Sequence, residues 1–151
     1  MLKYSLLGVL LVAVTVVIHA MGTTWWLHRL SSRITGVSDL HRPSRSLLML
    51  ISTIIIVTLL HTTQIIVWAL AYLYLLPENV LGSFEEATYF SFVTFTTLGY
   101  GDISFTGQWR ILSGIEALNG ILLLGWSTAL LFTVVQRSWK DMLKQNTRND
   151  N

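Results

Sequence analysis

The sequence predicts an all-α membrane protein with three transmembrane helices and a short re-entrant helix between the second and the third. Composition is the first observation: 52% of the 151 residues are hydrophobic and 12% are charged, against about 25% charged residues in soluble domains. The second is a set of apolar segments that approach or exceed the ~20 residues needed to span a bilayer. The third is a mixed segment, before the last apolar one, that is too short and too polar to span.

The first apolar segment, residues 1–22, predicts an N-terminal transmembrane helix, and residues 23–46 predict a basic linker. Lys3 with the apolar run after it, and the small residues near Gly22, are also typical of a cleavable signal peptide. Cleavage would leave the linker outside the cell and invert both remaining spans, against the positive-inside rule. We therefore expect the segment to be retained and to pack outside the second helix.

The second apolar segment, residues 47–76, and the third, residues 110–136, predict two further spanning helices, and residues 137–151 predict a short tail. About 30 residues make a helix of ~45 Å. That length exceeds the ~30 Å hydrocarbon core, so we expect the second helix to tilt. Neither span carries the regularly spaced arginines that are typical of a voltage sensor.

Charged residues predict the orientation. Basic residues populate the linker and the tail, whereas the loop between the second and third spans is acidic apart from Arg110. The positive-inside rule places basic segments in the cytoplasm. We therefore expect a multi-pass protein of the cell membrane with its N-terminus outside and its C-terminus in the cytoplasm. The charges that carry this prediction are Arg29, Arg33, Arg42, Arg45, Arg137, Lys140, Lys144 and Arg148 inside, and Glu78, Glu85, Glu86 and Asp102 outside.

Several function classes are disfavoured. The sequence has no cysteine, which excludes disulfides, thiol catalysis and thiolate metal sites. It shows no nucleophile–base pair or cluster of metal ligands, so we expect neither an enzyme nor a bound cofactor. The basic residues flank apolar runs instead of forming a stripe, so nucleic acid is not an expected partner.

The mixed segment predicts a helix, residues 83–96, followed by irregular backbone. Ser83 and Glu86 have the spacing of a capping box, in which Ser83 bonds the backbone at Glu86 and Glu86 reaches back to Ser83. Gly99 and Gly101 tolerate backbone angles that other residues resist, so the helix should end before them. In lipid, irregular backbone survives only where protein buries it or where it lines a water-filled path. We therefore expect the chain to dip into the membrane and return.

The returning segment has little side-chain chemistry. It offers backbone carbonyls, the Thr97 hydroxyl and, at its outer end, the Asp102 carboxylate. Uncharged oxygen dipoles suit a dehydrated monovalent cation, which must bind well enough to enter and weakly enough to leave. The negative end of the short helix dipole points to the same place and favours a cation there.

This stretch resembles the T-x-x-T-x-G-Y-G-D signature of tetrameric potassium channels. The matching residues are Thr94, Thr97, Gly99, Tyr100, Gly101 and Asp102. The resemblance implies a pore domain, residues 47–136, made of an outer helix (47–76), a pore helix (83–96), a selectivity filter (97–102, the filter segment) and an inner helix (110–136). It also implies K⁺ as the permeant ion, bound by the carbonyls of Thr97, Leu98, Gly99 and Tyr100 with Gly101 adjoining. One chain supplies one of the four pore loops that such a filter needs, so the implied partners are further copies in a homotetramer and the lipid bilayer.

Three positions around the signature depart from the pattern of that family. Leu98 stands where valine or isoleucine is usual, which changes packing behind the filter but not the carbonyl. Val93 stands where some members have a glutamate that pairs with the aspartate at the place of Asp102. Tyr89 matches a tryptophan that donates to this aspartate, and its hydroxyl predicts the same bond; an interfacial aromatic is the alternative.

The third span contains the candidate gating residues. Gly120 aligns with the hinge glycine of the family's inner helix, although close helix packing is an equal alternative. Ile121 and Leu124 would face the central cavity by the same alignment, and Ala129 the inner constriction. Glu116 would tune the cation supply or, as we favour, bond the pore helix.

Other polar residues within the spans are expected to join helices. Interhelical bonding is favoured over cavity lining for Asn119. For His61 and Gln64 we favour bonds to the first span over a proton sensor. His19, His28 and His41 show no paired ligand spacing and are expected to be solvated.

The sequence as a whole predicts a potassium-selective channel that passes dehydrated K⁺ through rings of backbone carbonyls. A poorly selective monovalent cation channel is one alternative, which the Gly-Tyr-Gly-Asp run disfavours. A non-conducting regulatory channel subunit is another, which would not need an intact filter.

Overall fold

The computed structural model describes residues 2–32, 43–75, 81–107 and 109–149, with side chains described except at 32, 43–46 and 137–149. Its helices are α1 (Leu2–Ser32), α2 (Pro43–Leu75), α3 (Phe84–Phe95) and α4 (Trp109–Asn149). Those long and apolar enough to cross a membrane cover Leu2–Ser31, Leu47–Leu75 and Trp109–Gln136. The described ranges contain no strand. The predicted all-helical class with three membrane-capable helices is thereby confirmed.

The helix bounds differ from the predicted ones by more than one residue at three places, one of which is the start of α2 at Pro43 instead of residue 47. α1 continues past Gly22 to Ser32, since residues 23–32 contain neither glycine nor proline, and the Trp26 indole donates to Thr53 Oγ1 of α2 at 3.1 Å. α4 continues to Asn149, through the residues assigned to the tail. The part of the predicted linker from 33 to 42, with two of its arginines, lies outside the described residues, as does Glu78.

α1 lies in the groove between α2 and α4, parallel to α4 and antiparallel to α2. Near its start the Tyr4 ring lies 4.4 Å from that of Trp109, at the beginning of α4. Near its end Trp26 bonds the N-terminal half of α2. α1 contacts both α2 and α4 and, over the described residues, does not touch α3. The first helix therefore packs against the second, as expected, and also against α4.

The core lies where α2, the short helix α3 and the start of α4 converge. Its centre is aromatic: Tyr72 packs edge-on against Phe90 at 5.2 Å, and Phe90 lies 4.1 Å from Phe105 of the loop before α4. Such pairs stabilise beyond their area burial. The outward faces of the long helices instead expose large apolar side chains, as a lipid-facing surface requires; these include Val9, Leu10, Val17, Ile54, Ile55 and Leu59.

Candidate functional site

The N-terminus of α3 is capped almost as predicted. Ser83 has an extended backbone, and its hydroxyl accepts from the Glu86 N–H at 3.1 Å. The Glu86 carboxylate reaches back one residue further than expected, to the Gly82 N–H at 2.7 Å instead of that of Ser83. Each bond satisfies a backbone donor that a helix start leaves unpaired. The cap therefore fixes where α3 begins.

The C-terminus of α3 lies directly against the backbone of α4. A Cβ atom at Gly120 would lie 2.8 Å from the carbonyl carbon of Phe95 and closer still to its oxygen. Phe95 is buried and is the last residue of α3. Only glycine allows so close an approach of two backbones. The structure thus contains the close packing proposed for Gly120, and its role as a hinge stays a prediction.

After α3 the backbone N–H groups turn back toward the helix end. The Thr97 N–H donates to the Thr94 carbonyl at 2.9 Å, and those of Leu98 and Gly99 donate to the Val93 carbonyl at 2.9 and 3.3 Å. Val93, itself buried, anchors the filter segment through its carbonyl. In contrast, the carbonyls of 97–101 accept no backbone hydrogen bond from the described part of the chain. These carbonyls therefore remain available to bind a ligand.

The filter segment has left-handed backbone at every second residue. The φ angles are +61° at Thr97, +55° at Gly99 and +80° at Gly101. Alternation of left- and right-handed residues turns successive N–H groups the same way. For a β-branched residue such as Thr97 a positive φ is an outlier. Such strain persists only where the surrounding structure enforces it, and it is common at functional sites.

Asp102 receives the predicted hydrogen bond from Tyr89, whose hydroxyl donates to Oδ2 at 2.6 Å. This bond holds the pKa of the Asp102 carboxyl below its ordinary value, and backbone N–H groups at Ile103 and Asp102 act in the same direction. The same bond raises the pKa of the Tyr89 hydroxyl, because the neutral phenol is the donor. Asp102 and Tyr89 therefore join the outer end of the filter segment to the first half of α3.

Other residues of the signature and of the filter segment are less buried. In the single chain, Leu98 and Tyr100 are 56% and 67% exposed, and Thr94 is half-buried. On α4 the side chains of Ile121, Leu124 and Ala129 are exposed. The filter segment and this face of α4 thus leave open surface.

Glu116 is fully buried between three helices. The Tyr72 hydroxyl of α2 donates to its Oε2 at 2.6 Å, and the Ser91 hydroxyl of α3 is hydrogen-bonded to its Oε1. Ser91 Oγ also lies 3.0 Å from the Ile65 carbonyl of α2. The favoured bond from Glu116 to the short helix is therefore present.

A second cluster of polar side chains, the polar ring, joins α1 to α2 and α4; it is buried except at His61, which is half-buried. It consists of His19, His61, Gln64 and Ser127. The side-chain oxygen of Gln64 lies 3.1 Å from His61 Nδ1, and its side-chain nitrogen lies 3.0 Å from His19 Nδ1. Ser127 Oγ lies 2.9 Å from His61 Nε2 and 3.4 Å from His19 Nε2. The predicted link from Gln64 to the first span is confirmed. The expectation that His19 is solvated was wrong, because this side chain is fully buried.

The donors and acceptors of the polar ring match one to one. The Gln64 oxygen can only accept and its nitrogen can only donate, so His61 Nδ1 carries a proton and His19 Nδ1 does not. Ser127 then donates to His61 and accepts from His19, with both histidines neutral. Nearby, Asn119 donates to Thr15 Oγ1 of α1 at 2.8 Å, as expected of an interhelical residue. The signal that could have predicted the burial of His19 is its spacing, since Thr15, His19 and Thr23 recur every fourth residue on one face of α1 and all three are buried.

Metal ligation has no support in the described part of the chain, which contains no group of three or more His, Asp or Glu side chains suited to a metal ion. His28 lies on α1 with an exposed side chain, and His41 lies outside the described residues.

Comparison with known proteins adds one finding. A family model described as ion channel matches residues 47–137, which includes α2, α3, the filter segment and the apolar part of α4. The chain has no significant match among the curated proteins or among the solved structures.

Proposed function

Because the chain belongs to the ion channel family, we propose that it forms a potassium-selective channel. The observation that carries this proposal is the filter segment, whose first three N–H groups bond back to α3 while the carbonyls of 97–101 accept no backbone hydrogen bond from the described residues. Uncharged carbonyl oxygens, held in a row, can replace the hydration shell of a monovalent cation. Passage is then passive and stepwise, since each ring of carbonyls binds K⁺ briefly and releases it to the next.

A homotetramer is part of the proposal. One chain supplies a single set of carbonyls, and four copies around an axis would close the rings. The exposure of Leu98 and Tyr100, and of Ile121 and Leu124 on α4, suits surfaces that meet other copies or the pore. In this assembly α3 is a re-entrant pore helix, and Thr97 is the innermost ion-binding residue.

The proposed orientation places the filter segment at the outer side of the cell membrane. Since α1 is parallel to α4, its first residues lie at the same end of the bundle as Trp109. The acidic loop and the N-terminus then share the outside, and the basic linker and tail share the cytoplasm, as the positive-inside rule favours.

Ion flux into liposomes containing the purified protein tests the proposed function. We expect uptake of K⁺ in large excess over Na⁺, and block by Ba²⁺, a divalent ion of similar size to K⁺. Equal flux of Na⁺ would leave a poorly selective channel, the alternative to which Leu98 lends weight. Absence of flux of either ion from a verified tetramer, in several lipids, would overturn the proposal in favour of a regulatory subunit.

Tyr89→Phe is expected to raise the pKa of Asp102 toward its ordinary value, because the variant lacks the bond that favours the carboxylate. In the wild type that bond stabilises the folded state at any pH above the ordinary pKa of the carboxyl. The stabilisation is lost as the pH falls through the lowered pKa that Asp102 has in the folded state. Acid should therefore change the time course of K⁺ current at a higher pH in Tyr89→Phe than in the wild type. At neutral pH the variant should also change inactivation of the filter.

Single-channel recording over the acid range measures both effects. The matched control is Tyr74→Phe, since Tyr74 is an exposed tyrosine of α2 with no hydrogen bond among the described residues. If Tyr89→Phe kept the wild-type time course and pH profile, the bond to Asp102 would have no part in filter behaviour.

A further inference from the structure

The hydroxyl of Ser91 has one proton but lies within hydrogen-bond distance of two oxygen atoms that could accept it. Its oxygen lies 3.0 Å from the Ile65 carbonyl and is also hydrogen-bonded to Glu116 Oε1. A carbonyl can only accept, and a serine hydroxyl can donate once. If the proton of Ser91 points to Ile65, the bond to Glu116 must be supplied by a proton on the carboxyl group. An ionised Glu116 would instead leave one of these two buried contacts without a proton.

The other oxygen of the carboxyl agrees with this count. Glu116 Oε2 accepts from the Tyr72 hydroxyl at 2.6 Å, which is the bond expected of a carbonyl-type oxygen. With Oε1 protonated, the chain of bonds runs from Tyr72 to Glu116, from Glu116 to Ser91, and from Ser91 to Ile65. Every proton then has one acceptor. The neutral acid satisfies the whole cluster, and the carboxylate does not.

The surroundings of Glu116 also favour the neutral form. Tyr72 is the titratable group that faces it from α2. From α3 it meets the Ser91 hydroxyl, which does not titrate, and α1 places no charged side chain against it among the described residues. On α4 itself, Arg110 is exposed. A carboxylate that is buried without a cation is costly in a protein interior and more so in a bilayer.

Ser91 links Glu116 to the filter segment. It lies on the buried face of α3, two residues before Val93, whose carbonyl receives the Leu98 and Gly99 N–H groups. A displacement of Ser91 thus moves the helix end that positions the free carbonyls. Glu116 reaches no proposed ion site itself, so any effect on conduction must pass through α3.

We propose that Glu116 is a protonated, neutral acid at neutral pH and acts as a positioning residue that holds α3, and through it the filter segment, against α2 and α4. The inference rests on the proposed function of the filter segment. Loss of the proton in alkaline medium breaks the bond that Glu116 donates to Ser91 and leaves a buried charge. K⁺ flux therefore falls as the pH rises, and the substitution Glu116→Gln, which keeps a donor and an acceptor without a titrating proton, removes this pH dependence.

The test compares wild type, Glu116→Gln and Glu116→Leu in liposomes with equal pH on both sides, from neutral to alkaline. We expect Glu116→Gln to conduct like the wild type at neutral pH and to keep that flux in alkali, where the wild type loses it. Glu116→Leu should conduct about tenfold less at every pH, since it leaves the buried Tyr72 hydroxyl without an acceptor and removes the donor to Ser91. Infrared difference spectra supply a second readout, in which the wild type shows a protonated-carboxyl band that Glu116→Gln lacks.

The outcomes separate this inference from the proposed function. Absence of K⁺ flux from the wild type at every pH would overturn the channel proposal, while the infrared band would still report the state of Glu116. Selective K⁺ flux with the same pH profile in wild type and Glu116→Gln would overturn the positioning role. Absence of the protonated-carboxyl band at neutral pH would overturn the neutral state.

Discussion

Gly120→Ala is expected to prevent the packing of α3 against α4 and to abolish K⁺ flux. The added methyl group would overlap the backbone carbonyl of Phe95, with 2.8 Å to the carbon and less to the oxygen. Overpacking of a core typically costs about 1–3 kcal/mol, mostly through side chains that shift. Here the obstacle is backbone, and the filter segment begins two residues later. The cost should therefore lie at or above the upper end of that range.

Thermal unfolding in detergent, tetramer yield and K⁺ flux together measure this effect. Gly125→Ala is the matched control, because Gly125 lies on the same helix and a Cβ there would meet no atom within 4 Å. In the helix interior alanine is favoured over glycine by about 0.5–1 kcal/mol, so the control should be as stable as the wild type or slightly more. Wild-type stability of Gly120→Ala with an altered open probability alone would instead assign Gly120 to a hinge.

Gly99→Ala is expected to abolish selective K⁺ flux while leaving the helices intact. The φ angle of Gly99 is +55°, and a Cβ there would meet no atom of its own chain within 4 Å. The effect is therefore one of backbone conformation, with a penalty of roughly 1–2 kcal/mol for an L-residue in the left-handed region. In a tetramer the penalty applies at each copy of one carbonyl ring, about 4–8 kcal/mol in all. Relaxation of the backbone would turn these carbonyls out of line.

Gly107→Ala provides the control for backbone strain, because Gly107 has a similar φ of +64° and equally open surroundings but lies outside the filter segment. It should lose a comparable amount of local stability and keep selective flux. The measurement is the ratio of K⁺ to Na⁺ uptake in tetramers of both variants. Equal ratios in Gly99→Ala and wild type would remove Gly99 from the ion path.

Local features of the site could be predicted from the sequence. The capping residues of α3 follow from a short spacing of residue types, and the bond from Tyr89 to Asp102 was implied by the resemblance to the potassium-channel family. The spanning helices follow from composition and length. In each case the relevant contacts lie within one segment, or within two segments joined by a tight turn.

Contacts between helices were harder to predict from the sequence. In α1 the polar residues Thr15, His19 and Thr23 recur every fourth residue on one buried face, and the burial of His19 was missed because this spacing was not used. The partners of Glu116 on α2 and α3 depend on how three helices are rotated about their axes, which the sequence of one helix does not specify. The left-handed backbone at Thr97 was also missed, since threonine rarely adopts it. It results from the bonds that tie the next residues to Val93.

The polar ring has a consequence for how the protein is made. During synthesis α1 enters the membrane first, when Ser127 of α4, which lies 108 residues from His19, does not yet exist. Until α2 and α4 are inserted, His19 must keep its polar nitrogens in lipid or at the membrane surface, an unfavourable state. Docking of α1 is therefore a late step of biogenesis that only a complete chain can finish. A version without α1 would expose Gln64 and Asn119 to lipid, so the first helix is not a removable accessory.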